Sequence, residues 1–132
     1  MNGKVVVITG ASSGIGRALA VEYARRGASL SLAARRIHLL NELRDMLPGT
    51  DILTIQTDIT SESACRNLIN SSVQYFGRID ILINNAGLSM RALFDDIDLA
   101  GFKQVMDVNF YGTVYCTKSA LPHLINSRGS LV

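Results

Sequence analysis

Apolar and polar positions fall into alternating blocks along the chain. Val5-Val6-Val7-Ile8 is an unbroken β-branched run, the pattern of a strand buried on both faces. It predicts a first strand over 4–9. The next block has helical spacing at Ile15, Leu19 and Tyr23, predicting a helix over 13–26, with Gly27 as its C-terminal stop. Residues 29–34 read as a second strand. Residues 36–47 then carry Leu39, Leu40, Leu43 and Leu47 on one stripe, a second helix closed by Pro48-Gly49. A short third strand is expected over 52–56. Thr60 or Ser61 caps a third helix that Gly77 stops. Ile81-Leu82-Ile83 marks a fourth strand within 80–84. After a loose stretch over 87–100, Phe102, Val105, Met106, Asn109, Phe110, Thr113, Thr117 and Leu121 define a long helix to about residue 125. Pro122 should bend or fray its last turn. Ser130-Leu131-Val132 reads as the start of a fifth strand.

Strands that alternate with helices through short connections predict an α/β fold, a parallel sheet with helices on both faces. Right-handed crossovers make it doubly wound. The 132 residues are expected to form one domain, with the sheet cut at the start of its fifth strand. A ligand is expected at the carboxyl ends of the strands, beside the first.

Composition narrows the function classes. Apolar residues make up 48% and charged residues 18%, a globular balance. A net charge of +2, with scattered basic residues, argues against a nucleic-acid partner. No apolar run is long enough to span a bilayer, and the N-terminus is not a signal peptide, so no membrane partner is expected. The two cysteines, Cys65 and Cys116, suit a reducing cytoplasm as core or surface fillers. With His38 and His123 as the two histidines, no metal-ligand cluster is apparent.

The first strand runs into Thr9-Gly10-Ala11-Ser12-Ser13-Gly14-Ile15-Gly16, and a helix follows. Glycines here allow a tight turn and close approach of a ligand to backbone. Ser12 and Ser13 are good N-cap residues, and the helix N-terminus offers N–H groups to a phosphate. The spacing G-x-x-x-G-x-G excludes a Walker A loop, because no Gly-Lys-Ser/Thr occurs. G-x-G-x-x-G is absent as well. An ordinary strand–helix connection is the competing reading of this loop alone.

Every predicted strand end carries a notable residue. NAD sites usually place an acid about twenty residues beyond the glycine loop, for the ribose 2′-OH. Here Ala34 stands eighteen beyond Gly16, and Arg35-Arg36 follow. A guanidinium matches a phosphate with forked donors, so NADP(H) is favoured over NAD(H), with Arg35 first and Arg36 second on the 2′-phosphate. The alternative is a solvated pair at a helix start. Asp58, before Ile59 and Thr60, either accepts from an adenine amino group or serves as a turn residue. Asn84-Asn85-Ala86-Gly87 combines small residues, open to a flat cofactor, with amides able to tie loops or hold a ribose. Asn109, on an expected buried stripe, either holds water or a backbone group in a site or is a satisfied core amide.

These fragments together resemble the classical short-chain dehydrogenase/reductase family, over the whole chain. The resemblance implies a Rossmann-type fold and NAD(P)(H)-dependent oxidation of alcohols or reduction of carbonyls. It implies that Gly10, Ser12, Ser13, Gly14, Ile15 and Gly16 line the pyrophosphate, that Asp58 and Ile59 meet adenine, and that Asn85, Ala86 and Gly87 meet the ribose. It makes Asn109 a member of the catalytic tetrad, positioning a proton-relay water, and places Arg35 where NADP-preferring members carry Arg. It implies a homo-oligomer for the whole protein, built on the long helix.

The family's catalytic Ser and Tyr-x-x-x-Lys follow the fifth strand. Here the residues four beyond Tyr23, Tyr75, Tyr111 and Tyr115 are Gly27, Ile79, Tyr115 and Ser119. The 132 residues are therefore expected to be the N-terminal, cofactor-binding portion of an oxidoreductase acting on a small carbonyl or alcohol, and inactive alone. A truncated module that binds nucleotide or pairs with relatives without turnover is the second reading. Met90, Leu93 and Phe94 could border an apolar substrate.

Overall fold

The computed structural model describes residues 1–132. Its elements are β1 (Val5–Thr9), α1 (Gly14–Arg25), β2 (Ser29–Ala34), α2 (Ile37–Asp45), β3 (Ile52–Gln56), α3 (Glu62–Phe76), β4 (Ile81–Ile83), α4 (Leu99–Met106), a π-turn (Asp107–Tyr111), α5 (Gly112–Ser127) and β5 (Ser130–Leu131). All five strands are parallel, in the order β3-β2-β1-β4-β5. The sheet order reverses between β1 and β4, and this opens a crevice at their carboxyl ends.

Each face of the sheet has its own core. Val6, Ile8, Leu30 and Leu32 point to one side and pack under Ala20 of α1 and Leu40 and Leu43 of α2. Val7, Ala33, Ile55 and Leu82 point to the other and pack under Leu68 and Ile69 of α3 and Cys116, Ala120 and Leu124 of α5. The period-two alternation along β1 divides the cores, which explains why its residues are apolar without a break. Both cysteines are buried and unpaired in the second core.

The helix ends follow local chemistry. Ser61 caps α3 by accepting from the Ala64 N–H at 3.2 Å, and Gly77 ends it at φ +77°. Asp98 caps α4 by accepting from the Gly101 N–H. The predicted long helix starts earlier, at Leu99, and continues through Pro122 to Ser127, with the π-turn in its middle. Pro122 lacks the N–H that would bond the Lys118 carbonyl, yet one more turn follows it.

Candidate functional site

A cleft of about 430 Å³ lies at the carboxyl ends of β1, β2, β3 and β4. Of the residues singled out in the sequence, Gly10, Ser12, Ser13, Ile15, Arg35, Arg36, Asp58, Ile59, Asn85, Ala86 and Gly87 line it together. Gly14, Gly16 and Asn109 do not.

The glycine loop is held down by the segment that follows β4. Thr9 Oγ1 accepts from the N–H groups of Asn85 (3.1 Å) and Ala86 (3.0 Å). The Asn85 amide donates to the carbonyls of Thr9 (2.9 Å) and Gly10 (3.3 Å). Asn85 therefore ties loops with its side chain, while Asn84 donates to Thr117 Oγ1 of α5 at 3.1 Å. This tie leaves no room at Gly10: a Cβ there would come 2.8 Å from Ala86 Cα, and φ is +68°. A Cβ on Gly16, buried in the first turn of α1, would run into Asn85 Nδ2. Gly14, at φ +56°, meets nothing and serves the turn by its conformation.

Ser13 occupies the N-cap position of α1, but its side chain makes no cap hydrogen bond. Arg36 takes both serine hydroxyls instead, donating to Ser12 Oγ at 3.3 Å and Ser13 Oγ at 3.1 Å. The cap expected from Ser12 or Ser13 is therefore not made. The first-turn N–H groups of α1 stay open to an anion, whose charge the helix dipole favours. Ile15, expected on the buried stripe with Leu19 and Tyr23, is 73% exposed and forms part of the cleft wall.

The β2 and β3 ends supply the charged wall. Arg35 makes no side-chain hydrogen bond or ion pair, whereas its carbonyl accepts from Gln56 Nε2 at 3.1 Å. Asp58 Oδ1 accepts from the Thr60 N–H (3.0 Å) and Thr60 Oγ1 (2.8 Å), closing the turn after β3. The Thr60 backbone bond, with help from the Thr60 hydroxyl and the Arg35 charge, holds the Asp58 carboxyl below its usual pKa against some desolvation. Asp58 is thus ionised at neutral pH and presents acceptor oxygens to the cleft.

Asn109 corrects an expectation. It is exposed, not on a buried stripe, and it sits in the π-turn. Its Oδ1 accepts from the Leu88 N–H at 2.8 Å and its Nδ2 donates to the Leu88 carbonyl at 2.9 Å. Asn109 therefore holds a backbone group, one of its two sequence readings, and fixes the irregular segment that continues the cleft wall past Gly87 at Leu88.

Thr57, Leu88 and Gln104 also line the cleft and were not singled out in the sequence; Val108, which lines it too, stands beside Asn109 in the stretch that carries the family resemblance, with no site role expected of it. Gln104 and Val108 are one helical turn apart, so they face the same way. That spacing was readable, but nothing in it said which way the face pointed. No three His, Cys, Asp or Glu side chains gather into a group that could hold a metal ion.

The arrangement suits an extended phosphate-containing ligand. It combines open helix N–H groups, a glycine turn free of Cβ, two arginines and a carboxylate in one continuous cleft.

Comparison with known proteins agrees with this chemistry. The short chain dehydrogenase family matches residues 4–132. An 11-beta-hydroxysteroid dehydrogenase A from Sesamum indicum is 46% identical over 98% of this chain and 38% of its own length. An 11-beta-hydroxysteroid dehydrogenase 1A from Arabidopsis thaliana is also 46% identical, with the same coverage of both chains. The chain thus spans 38% of the length of these curated relatives. Among solved structures, an alcohol dehydrogenase from the archaeon Thermococcus sibiricus, complexed with 5-hydroxy-NADP, superposes with a TM-score of 0.95. It is 30% identical over 97% of this chain and 56% of that one.

Proposed function

The chain belongs to the short-chain dehydrogenase family, and from that premise we propose that it is the cofactor-binding, N-terminal portion of an NADP(H)-dependent oxidoreductase. The complete protein would transfer hydride between the nicotinamide and a small alcohol or carbonyl compound. The observation that carries the cofactor preference is the end of β2. Ala34 occupies the place of an acid that would bind a ribose 2′-OH, and Arg35 follows it into the cleft with no partner inside the protein. A 2′-phosphate would meet the free Arg35 guanidinium, with Arg36 and the two serines beside it. The 5-hydroxy-NADP in the Thermococcus structure supports the same choice.

The other site residues take roles along that ligand. The Gly10–Gly16 loop and the open N-terminus of α1 bind the pyrophosphate. Asp58 and Ile59 border the adenine, and Asn85, Ala86 and Gly87 border the ribose on the nicotinamide side. Bound cofactor supplies the hydride. Asn109 fixes Leu88, and through it the wall on which the reacting end lies. Oxidoreductases of this kind need a phenol with a lowered pKa, supplied by a nearby Lys. No Tyr in residues 1–132 has a Lys four positions on. This motivates the reading of these residues as a binding portion without turnover of its own. Sustained NADPH oxidation on a panel of ketones by the 132-residue chain would refute that reading.

The substrate side is apolar in this proposal. Leu93 and Phe94, at 74% and 84% exposure, come a few residues after the cleft-lining Leu88 in the chain, and the names of the plant relatives point to hydroxysteroid-like alcohols. The exposed row Phe102, Met106, Phe110, Val114, Leu121 and Ile125 suits burial in a homo-oligomer of the complete protein. No helix is long and apolar enough to cross a membrane. Two buried, unpaired cysteines fit a cytoplasmic setting.

Arg35→Ala tests the cofactor assignment. Losing a charge-assisted contact to phosphate is expected to weaken NADPH binding by roughly 10- to 100-fold, with NADH changed by less than about 3-fold. Isothermal titration of the full-length protein with both nucleotides measures this. Equal losses for both would remove the 2′-phosphate role.

A further inference from the structure

Most polar side chains of the cleft are already committed inside the protein. Ser12 and Ser13 bind Arg36, Asp58 binds Thr60, and Asn85 binds the carbonyls of Thr9 and Gly10. Thr57 Oγ1 donates to the Ile55 carbonyl at 3.2 Å. Two polar side chains that line the cleft have no intramolecular hydrogen bond at all: Arg35 and Gln104. The first is the cation assigned to the 2′-phosphate. The second is a neutral amide on α4, a helix that otherwise contributes no site residue.

Gln104 has one strong reason to face the cleft. It lies four residues before Val108, and both line the same cavity that Asp58 and Ile59 line from the end of β3. The cleft wall at this end is apolar in Ile59 and Val108, which suits the flat face of a base. The polar edge of that base then needs partners in the plane of the ring. Ionised Asp58 supplies acceptors only. An amide supplies both a donor and an acceptor, side by side. Adenine presents an N6 amino donor flanked by ring-nitrogen acceptors, and a glutamine amide can bond both at once.

Resting on the NADP(H) reading above, we propose that Gln104 is a specificity-determining residue that reads the edge of the cofactor's adenine. Its amide oxygen accepts from the N6 amino group and its NH2 donates to N1, the edge that a 1,N6 bridge removes. Arg35 thus selects the phosphate and Gln104 selects the base, within one cleft. Both side chains stay unpaired in the free protein, so neither contact has to be broken when the ligand enters.

The test is a double comparison in the full-length protein, by isothermal titration. The ligands are NADP and 1,N6-etheno-NADP, in which the bridged N1 and N6 have lost the amino hydrogens and the N1 acceptor. The variants are Gln104→Met, which keeps the length and removes the amide, and Gln104→Glu, which keeps an acceptor alone. The side chain is exposed on a helix, and both replacements are good helix formers, so folding is not at issue. Wild type is expected to bind NADP roughly 3- to 10-fold tighter than the etheno analogue. Gln104→Met should weaken NADP by a similar factor, leave the analogue within about 2-fold, and so erase the preference. Gln104→Glu should fall between the two for NADP. A preference that survives Gln104→Met unchanged, or an equal loss for both ligands, overturns the role of Gln104 and leaves the cofactor assignment standing. Failure of wild type to bind NADP, with or without binding of NAD, overturns both.

Discussion

Asn109 uses both ends of its amide on the backbone of Leu88, and it can do so because the helix is wound wider around it. In a π-turn one residue is inserted into the regular repeat, and the flanking turns are rotated relative to each other. The apolar stripe on which the sequence puts Asn109 is itself exposed at Phe102, Met106, Phe110 and Leu121, before and after the π-turn alike. The periodicity therefore reads the helix and marks Asn109, but it does not say which face the sheet covers. Both hydrogen bonds are exposed, so each is worth about 0.5–1.5 kcal/mol net. Asn109→Ala is expected to cost about 1–2 kcal/mol in urea unfolding and to speed proteolytic cleavage between Leu88 and Asp98. Asn109→Asp should not rescue it, because a carboxylate oxygen would then face the Leu88 carbonyl. Stability equal to wild type in the Asp variant would show that the Nδ2 bond contributes nothing. The same limit on legibility applies at Ser13. Its position at a helix start was readable, whereas the capture of its hydroxyl by Arg36, twenty-three residues away, depends on how two loops meet.

At the scale of elements, the strands and helices were legible almost throughout, with ends displaced by a residue or a few. Continuous apolar runs, glycine stops and serine caps are local signals, and local signals dominate here. What the pattern could not supply is the distance between elements. The approach of α5 to the turn after β3 is the sharpest case. A Cβ on Gly112 would lie 2.7 Å from Ile59 Cδ1 and 2.9 Å from its Cγ1. Ile59 is also a wall of the cleft. Alanine would gain about 0.8–1 kcal/mol of helix propensity over glycine, against about 1–3 kcal/mol for overpacking. The cheapest relief is for the Ile59 side chain to turn toward the open cleft. Gly112→Ala is therefore expected to change unfolding stability by less than about 2 kcal/mol yet weaken nucleotide binding several-fold. A variant that melts earlier but binds NADPH as wild type does would locate the strain elsewhere.

The whole molecule separates its binding end from a fastening at the opposite end of the sheet. The doubly wound sheet and the crevice at its strand ends were foreseeable from the βα alternation and right-handed crossovers, whereas the order β3-β2-β1-β4-β5 comes from the structure. The fastening was not foreseeable, since it joins residues far apart in the chain. The Asp80 side chain is 2% exposed at the amino end of β4 and accepts from Lys4 Nζ (2.9 Å), Arg78 Nη2 (2.6 Å) and the Val5 N–H (3.0 Å). Its backbone bonds β1 and β5, through the Val5 carbonyl and the Ser130 N–H. Burial alone would push its pKa up; the bonds from Lys4, Arg78 and Val5 outweigh it and hold the carboxyl below its usual value of 3.8. A depressed pKa means that the unfolded chain takes up the proton first. The stabilisation is then complete above about pH 4 and is lost as pH falls through the folded-state value. Asp80→Asn is expected to cost about 1–3 kcal/mol near neutral pH, at the low end for a buried ion pair because both cations remain half-exposed. The variant should also lose part of the wild-type fall in melting temperature between about pH 4 and pH 2. Its affinity for NADPH at pH 7 should match wild type, because the carboxylate lies at the end of the sheet away from the cleft. Melting curves across that pH range, paired with one titration at pH 7, decide both points. A parallel acid limb in wild type and variant would mean that other carboxylates carry the pH dependence.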